Sequence, residues 1–283
     1  MVCACVDIGS NTTRLLVAEV SAGRLTEVLQ QRAFTRIGTG PVISPAKIDE
    51  VARVVGAQVE LARDAGAEQV RVVATAAIRA AVNRDEFMAG MAVDVDVLDG
   101  AEEARLAFLG ATATLGVELE GVVGVVDVGG GSTEIAVGTV AEGVGWSSSF
   151  MVGSGALADH YLRTDPPSVA QLDAIREHIG EVLDTREVPI AQHAVAVGGS
   201  AASLRRLVGD VLEPGSLERA LGLLCAHPAA DIAAHMGLVP ERVRLLPAGI
   251  LILGVAAERL GRPLEIGRGG LREGLLLDMA RTP

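Results

Sequence analysis

Two stretches of this chain follow one plan: VDIGSNTTRLLVAEV at residues 6–20 and VDVGGGSTEIAVGTV at 126–140. Superposed, they share Val6/Val126, Asp7/Asp127, Gly9/Gly129, Thr13/Thr133, Val17/Val137 and Val20/Val140. In each copy an Asp ends an apolar run, a Gly-rich turn follows, and β-branched residues resume. That is a strand, a turn and a strand. A Gly-rich turn by itself is more often the mark of a simple hairpin. Two copies, each preceded by Asp and each opening one half of the chain, point further. Glycines leave backbone N–H groups free to converge, and Ser10, Asn11, Thr12, Ser132 and Thr133 add polar groups, so each turn can hold an anion without lysine.

The rest of the pattern supports two equivalent halves. The first predicts strands at about 2–8, 13–20 and 23–31, a helix at 45–65, strand 70–74, helix 76–91, strand 93–98 and helix 100–115. The second restarts with strands at 122–128, 133–139 and 143–150. Helices 154–162 and 168–184, strand 193–197, several helices to 261, a short strand 263–266 and a last helix follow. This predicts an α/β protein with domains at 1–117 and 118–269, and a helix at 270–283 that returns to pack on the first domain.

Composition narrows what such a protein can bind. With a net charge of −12, a broad nucleic-acid-binding face is disfavoured. An anionic ligand must be held locally. The longest apolar run, Leu245 to Ala257, has 13 residues, too few to span a bilayer. The first strand begins almost at once, without a signal-like leader, which predicts a soluble, cytoplasmic protein. Only 2% of residues are aromatic, so the cores must be aliphatic. Cys3, Cys5 and Cys225 read as buried thiols, and the five histidines lack ligand spacing.

Three further segments carry polar chemistry. In LDGAEEARLAFLGA, Asp99 fits a helix N-cap and Glu102 completes a capping box. Glu103 is left over in the first turn, where the helix dipole favours a carboxylate. Arg79 follows the strand RVVATA at a helix opening, where a guanidinium can grip phosphate or simply face solvent. Gly198, Gly199 and Ser200 again link a strand to a helix start, a site suited to an anion.

In order along the chain, VDIGSNTTRLL, VVATAAIRAA, LDGAEEARLAFLGA, VVDVGGGSTEIAVG, AVGGSAASLRRL and GGLREGLLLDM resemble the successive motifs of the exopolyphosphatase and guanosine pentaphosphate phosphohydrolase family. That family belongs to the actin, sugar kinase and heat-shock chaperone ATPase superfamily. The resemblance implies two ribonuclease-H-like domains with an active cleft between them, and Mg2+- or Mn2+-dependent hydrolysis of a terminal phosphoanhydride. It implies Glu103 as general base, Arg79 as a phosphate contact, and Asp7, Asp127 and Glu134 as metal-site carboxylates, with Glu134 a candidate for the water site too. Gly9, Ser10, Asn11, Thr12, Arg14, Gly129, Gly130, Gly131, Ser132, Thr133, Gly199, Ser200 and Arg268 are the implied substrate contacts. Glu134 and Arg14 hold equivalent places in the repeat, one acidic and one basic.

The expected substrate is inorganic polyphosphate, with guanosine pentaphosphate the competing choice. Many family members carry a further helical C-terminal region, and ending after the last motif suggests short chains. The reading involves no nucleic acid and no membrane, and admits a homodimer. A kinase or ATPase of the same superfamily would use the same turns, but the GAEEARLAFLGA segment argues against it. A non-catalytic guanosine tetra- or pentaphosphate sensor would bind without releasing phosphate.

Overall fold

A computed structural model of the chain describes residues 1–117 and 119–281. It divides into two compact units, Met1–Gly116 with the segment from Gly269, and Val117–Arg268. The predicted boundary at residue 118 and the end of the predicted 270–283 helix lie outside the described residues.

The first unit runs β1 (Val2–Ile8), β2 (Thr13–Ser21), β3 (Arg24–Ala33), α1 (Pro45–Asp64), β4 (Gln69–Ala74), α2 (Ala76–Arg79), α3 (Arg84–Ala89), β5 (Asp96–Val97) and α4 (Gly100–Thr114). Its sheet is ordered β3-β2-β1-β4-β5, with β1, β2 and β3 antiparallel and β4 and β5 parallel to β1. Alternation along β1 sends Ala4, Val6 and Ile8 to one core, shared with Ile48, Val51, Val55 and Val59 of α1. Cys3 and Cys5 enter a second core with Leu106 of α4 and Leu275, Leu276 and Leu277. Asp7 continues that second alternation. It therefore lies at the strand end on the α4 face.

The second unit repeats the order. It comprises β6 (Val123–Val128), β7 (Thr133–Thr139), β8 (Gly143–Phe150), α5 (Ser154–Tyr161), α6 (Val169–Leu183), β9 (His193–Val197), α7 (Gly198–Val208), β10 (Val211–Leu212), α8 (Pro214–Ala226), α9 (Ala229–Met236), α10 (Pro240–Leu260) and β11 (Leu264–Ile266). The sheet runs β8-β7-β6-β9-β11, then adds β10 at the edge. Five strands in ribonuclease-H-like order thus occur twice. Apolar α10 forms the centre of the helical layer, touching α5, α6, α7, α8 and α9.

Helix α11 (Leu271–Met279) belongs to the first unit and packs against α4, β1, β2 and β3. Glycines make the close approach of α11 to α4 necessary. A Cβ on Gly274 would collide with Leu106 O, and one on Gly110 would lie 2.7 Å from Gly274 N. An ion pair from Arg105 to Asp278, 2.9 Å, closes the same seam.

Two local expectations differ from the structure. The predicted 76–91 helix is broken into α2 and α3. Asn83 uses its amide on both backbone groups of Ile43, at 2.9 and 2.8 Å, and Val82 N donates to Pro41 O at 2.8 Å, so residues between the helices secure the 41–43 loop instead. The predicted strand 93–98 reduces to the two residues of β5.

Candidate active site

The two repeat turns close identically. Gly9 N donates to Thr12 O at 3.1 Å, and Gly129 N donates to Ser132 O at 3.0 Å. A side chain at Gly129 would approach Ser132 O to 3.1 Å, so the tight closure favours glycine. Each turn also has a backbone buttress. Arg36 N and Gly38 N donate to Asn11 O and Ser10 O at 3.0 and 2.9 Å, while Ser154 N and Ala156 N donate to Gly129 O and Gly130 O at 3.0 and 2.9 Å. Buried Thr13 shares a 3.0 Å hydroxyl contact with Thr35, and buried Thr133 donates to Val152 O at 2.6 Å. The turns are held from beneath by bonds that need no ligand. Preorganised N–H groups are what anion recognition requires.

In the first unit, Asp7 pairs in register with Arg14 across β1 and β2. Burial pushes the Asp7 carboxyl above its ordinary value, while Arg272 and Arg14 oppose that shift and Glu273 adds to it. Arg14 Nε also donates to Thr12 Oγ1 at 3.2 Å, tying the arginine to the turn. Asp99 caps α4 by accepting from Glu102 N at 2.8 Å. The predicted capping box is only half formed, because the Glu102 carboxylate accepts from Arg105 at 2.7 and 2.8 Å instead. Glu103, next in sequence, is buried and ion-paired with Arg79. Arg79 Nη1 additionally donates to Leu98 O at 2.7 Å. The structure thus brings together two residues 24 apart in sequence. The guanidinium fixes where the carboxylate points.

In the second unit, Asp127 pairs in register with Glu134, and Glu134 with Ser149. Glu134 is buried and accepts from Ser149 Oγ at 2.7 Å. Gly198 closes over Asp127 with φ +88°, where a Cβ would collide with Asp127 Oδ1. Two carboxylates in register on one face repel. Their hard oxygens fit a divalent cation such as Mg2+ or Mn2+. Asp7, facing an arginine at the equivalent place, fits that role less well.

Gly199 and Ser200 open α7, and the Ser200 hydroxyl is buried with no hydrogen-bond partner among the described residues. Arg268 is exposed at the end of the second unit. The structure adds two arginines absent from the sequence-based set. Arg242, buried in the first turn of α10, lies against Gly199, where a Cβ would be 2.6 Å from its Nη1. Arg272 stands in the first turn of α11, within electrostatic reach of Asp7. Their one sequence signal is shared: a cation in a helix first turn opposes the dipole.

Residues 16–282 match the Ppx/GppA phosphatase family. The chain belongs to that family. It is 31% identical to "Exopolyphosphatase 2" of Mycobacterium tuberculosis, over 98% of each protein. It is 27% identical to the guanosine-5'-triphosphate,3'-diphosphate pyrophosphatase of Photobacterium profundum, over 98% of this chain and 59% of that protein. The crystal structure of the Aquifex aeolicus Ppx/GppA family member superposes with a TM-score of 0.83 at 27% identity, covering 99% of this chain and 98% of that one. Membership of the Ppx/GppA family makes the chain a phosphoanhydride hydrolase. Among the described residues no helix is long and apolar enough to cross a membrane.

Proposed function

We propose that the protein is an exopolyphosphatase, releasing orthophosphate from the end of inorganic polyphosphate. The observation that carries this reading is the buried Glu103 held by Arg79. A carboxylate fixed at a helix start can orient a water and accept its proton as the terminal phosphoryl group is transferred.

Within the first unit lie the base, its guanidinium and the turn at Gly9–Thr12. Within the second lie the turn at Gly129–Thr133 and the Asp127–Glu134 pair. A divalent ion held by those carboxylates would neutralise phosphate charge. Gly199, Ser200 and Arg242 offer further donors for phosphate oxygens. The free thiols of Cys3, Cys5 and Cys225 fit a reducing compartment, and we read the protein as cytoplasmic.

Similarity to the Photobacterium profundum enzyme supports guanosine pentaphosphate as a second reading. Phosphate release from tripolyphosphate, long polyphosphate, guanosine pentaphosphate and ATP, compared side by side with Mg2+, Mn2+ and chelator, separates the two. A higher kcat/KM on the inorganic chains supports the polyphosphatase. Strong preference for the nucleotide replaces it, and binding without phosphate release rejects both.

A further inference from the structure

The row that starts at Asp7 does not end at Arg14. Arg14 pairs in register with Arg32 across β2 and β3, so Asp7, Arg14 and Arg32 project from one face of the sheet. Their neighbours on that face, Cys3, Cys5, Leu16 and Ala18, pack against α11. Helix α11 reaches β1, β2 and β3, with Arg272 in its first turn. Arg272 is near enough for its charge to act on Asp7 and Arg32. Partial desolvation makes Arg32 hold its proton less tightly than usual, and the Arg272 charge adds to this.

The row sets one acid, Asp7, against two arginines. Arginines directly opposite one another weaken a strand pair. Glu273, the nearby acid on α11, accepts from Gly270 N at 2.8 Å, and its other oxygen lies 3.7 Å from Arg272 Nη2. Exposed Arg32 has no ion pair among the described residues. The equivalent row of the second unit reads Asp127, Glu134 and Ser149, which suits a cation. One topological row has opposite charge in the two units.

We propose that Arg32, backed by Arg272, forms an anion subsite extending outward from the Asp7 turn, and that it takes a phosphoryl group remote from the bond cleaved. This rests on the polyphosphate reading above. A guanidinium fork matches phosphate oxygens, and Arg32 is exposed enough to meet a long substrate.

The test compares wild type, Arg32→Gln, Arg32→Lys and Arg272→Gln. Steady-state kinetics are measured on tripolyphosphate and a longer polyphosphate, and equilibrium binding is measured by titration with tripolyphosphate. Arg32→Gln should raise KM for the longer chain roughly five- to tenfold, more than it lowers kcat, and flatten the salt dependence of KM. Arg32→Lys should recover part of the loss, and Arg272→Gln should raise KM in the same direction. Unchanged KM and salt dependence in Arg32→Gln, with turnover intact, would overturn the subsite and leave the polyphosphatase standing. A loss confined to kcat would overturn it too. Tripolyphosphate binding weakened by Arg32→Gln, in a wild type that releases no phosphate, would keep the anion subsite and reject the hydrolase.

Discussion

Glu134 stands directly across the β6–β7 ladder from Asp127, at the place where Arg14 faces Asp7 in the other sheet. The backbone repeat is conserved to the hydrogen bond, yet its charge is inverted. A shared structural need would not require that inversion. The second sheet sets two acids opposite each other where the first sets an acid opposite an arginine.

The carboxylate pair predicts metal-dependent stability. Mg2+ should raise the melting temperature of the wild type, because ligand bound only to the native state stabilises it. Glu134→Gln should melt no lower than wild type in chelator, since a like-charge contact is removed, but should lose most of the Mg2+ increment and require more Mg2+ for turnover. Thermal melts with and without chelator check this. An undiminished Mg2+ increment in Glu134→Gln would remove Glu134 from the metal site.

The two adjacent acids of α4 should behave differently. Glu103→Gln should lower kcat by roughly a hundredfold or more, the usual scale for a positioned general base, with substrate binding retained. Glu102→Gln loses only a surface contact to Arg105 and should change stability by less than about 1 kcal/mol. Equal loss of kcat in both variants would sink the assignment of Glu103.

Asp7 links stability to pH. Its folded pKa is raised by burial above the unfolded value, so its favourable contribution is complete below the unfolded pKa and is lost as pH rises through the folded one. Asp7→Asn should therefore raise the melting temperature near neutral pH, with the gain vanishing under acid conditions, while turnover falls. A melting temperature that drops at neutral pH in Asp7→Asn contradicts this sign.

Glycine 198 offers a test with an internal control. Gly198 and Gly209 have φ of +88° and +83°, but of the two only the first is crowded: among the described residues nothing lies within 4 Å of a Cβ on Gly209. Gly209→Ala should cost about 1 kcal/mol from backbone strain. Gly198→Ala should cost more and should also weaken Mg2+ dependence, because the methyl displaces Asp127. Denaturant unfolding of both variants, with Mg2+ titrations, decides it.

The doubled strand–turn–strand plan was legible in the order of residues alone, because glycines, aspartates and alternating β-branched residues act within a few positions of one another. The same local chemistry marked Asp99 as a cap and placed α1, α6, β7 and β8 to within a residue or so. Tertiary structure decided the rest. Glu102 turned to Arg105 instead of completing its box, and Asn83 broke a helix to hold Ile43. The pairing of Glu103 with Arg79 and the place of Arg242 beside Gly199 depend on contacts between distant segments. Arg32 joined Asp7 only through strand register. Hydrophobic periodicity records which face of an element is buried, but a polar side chain's partner is set by what the fold brings opposite it, and no local pattern carries that.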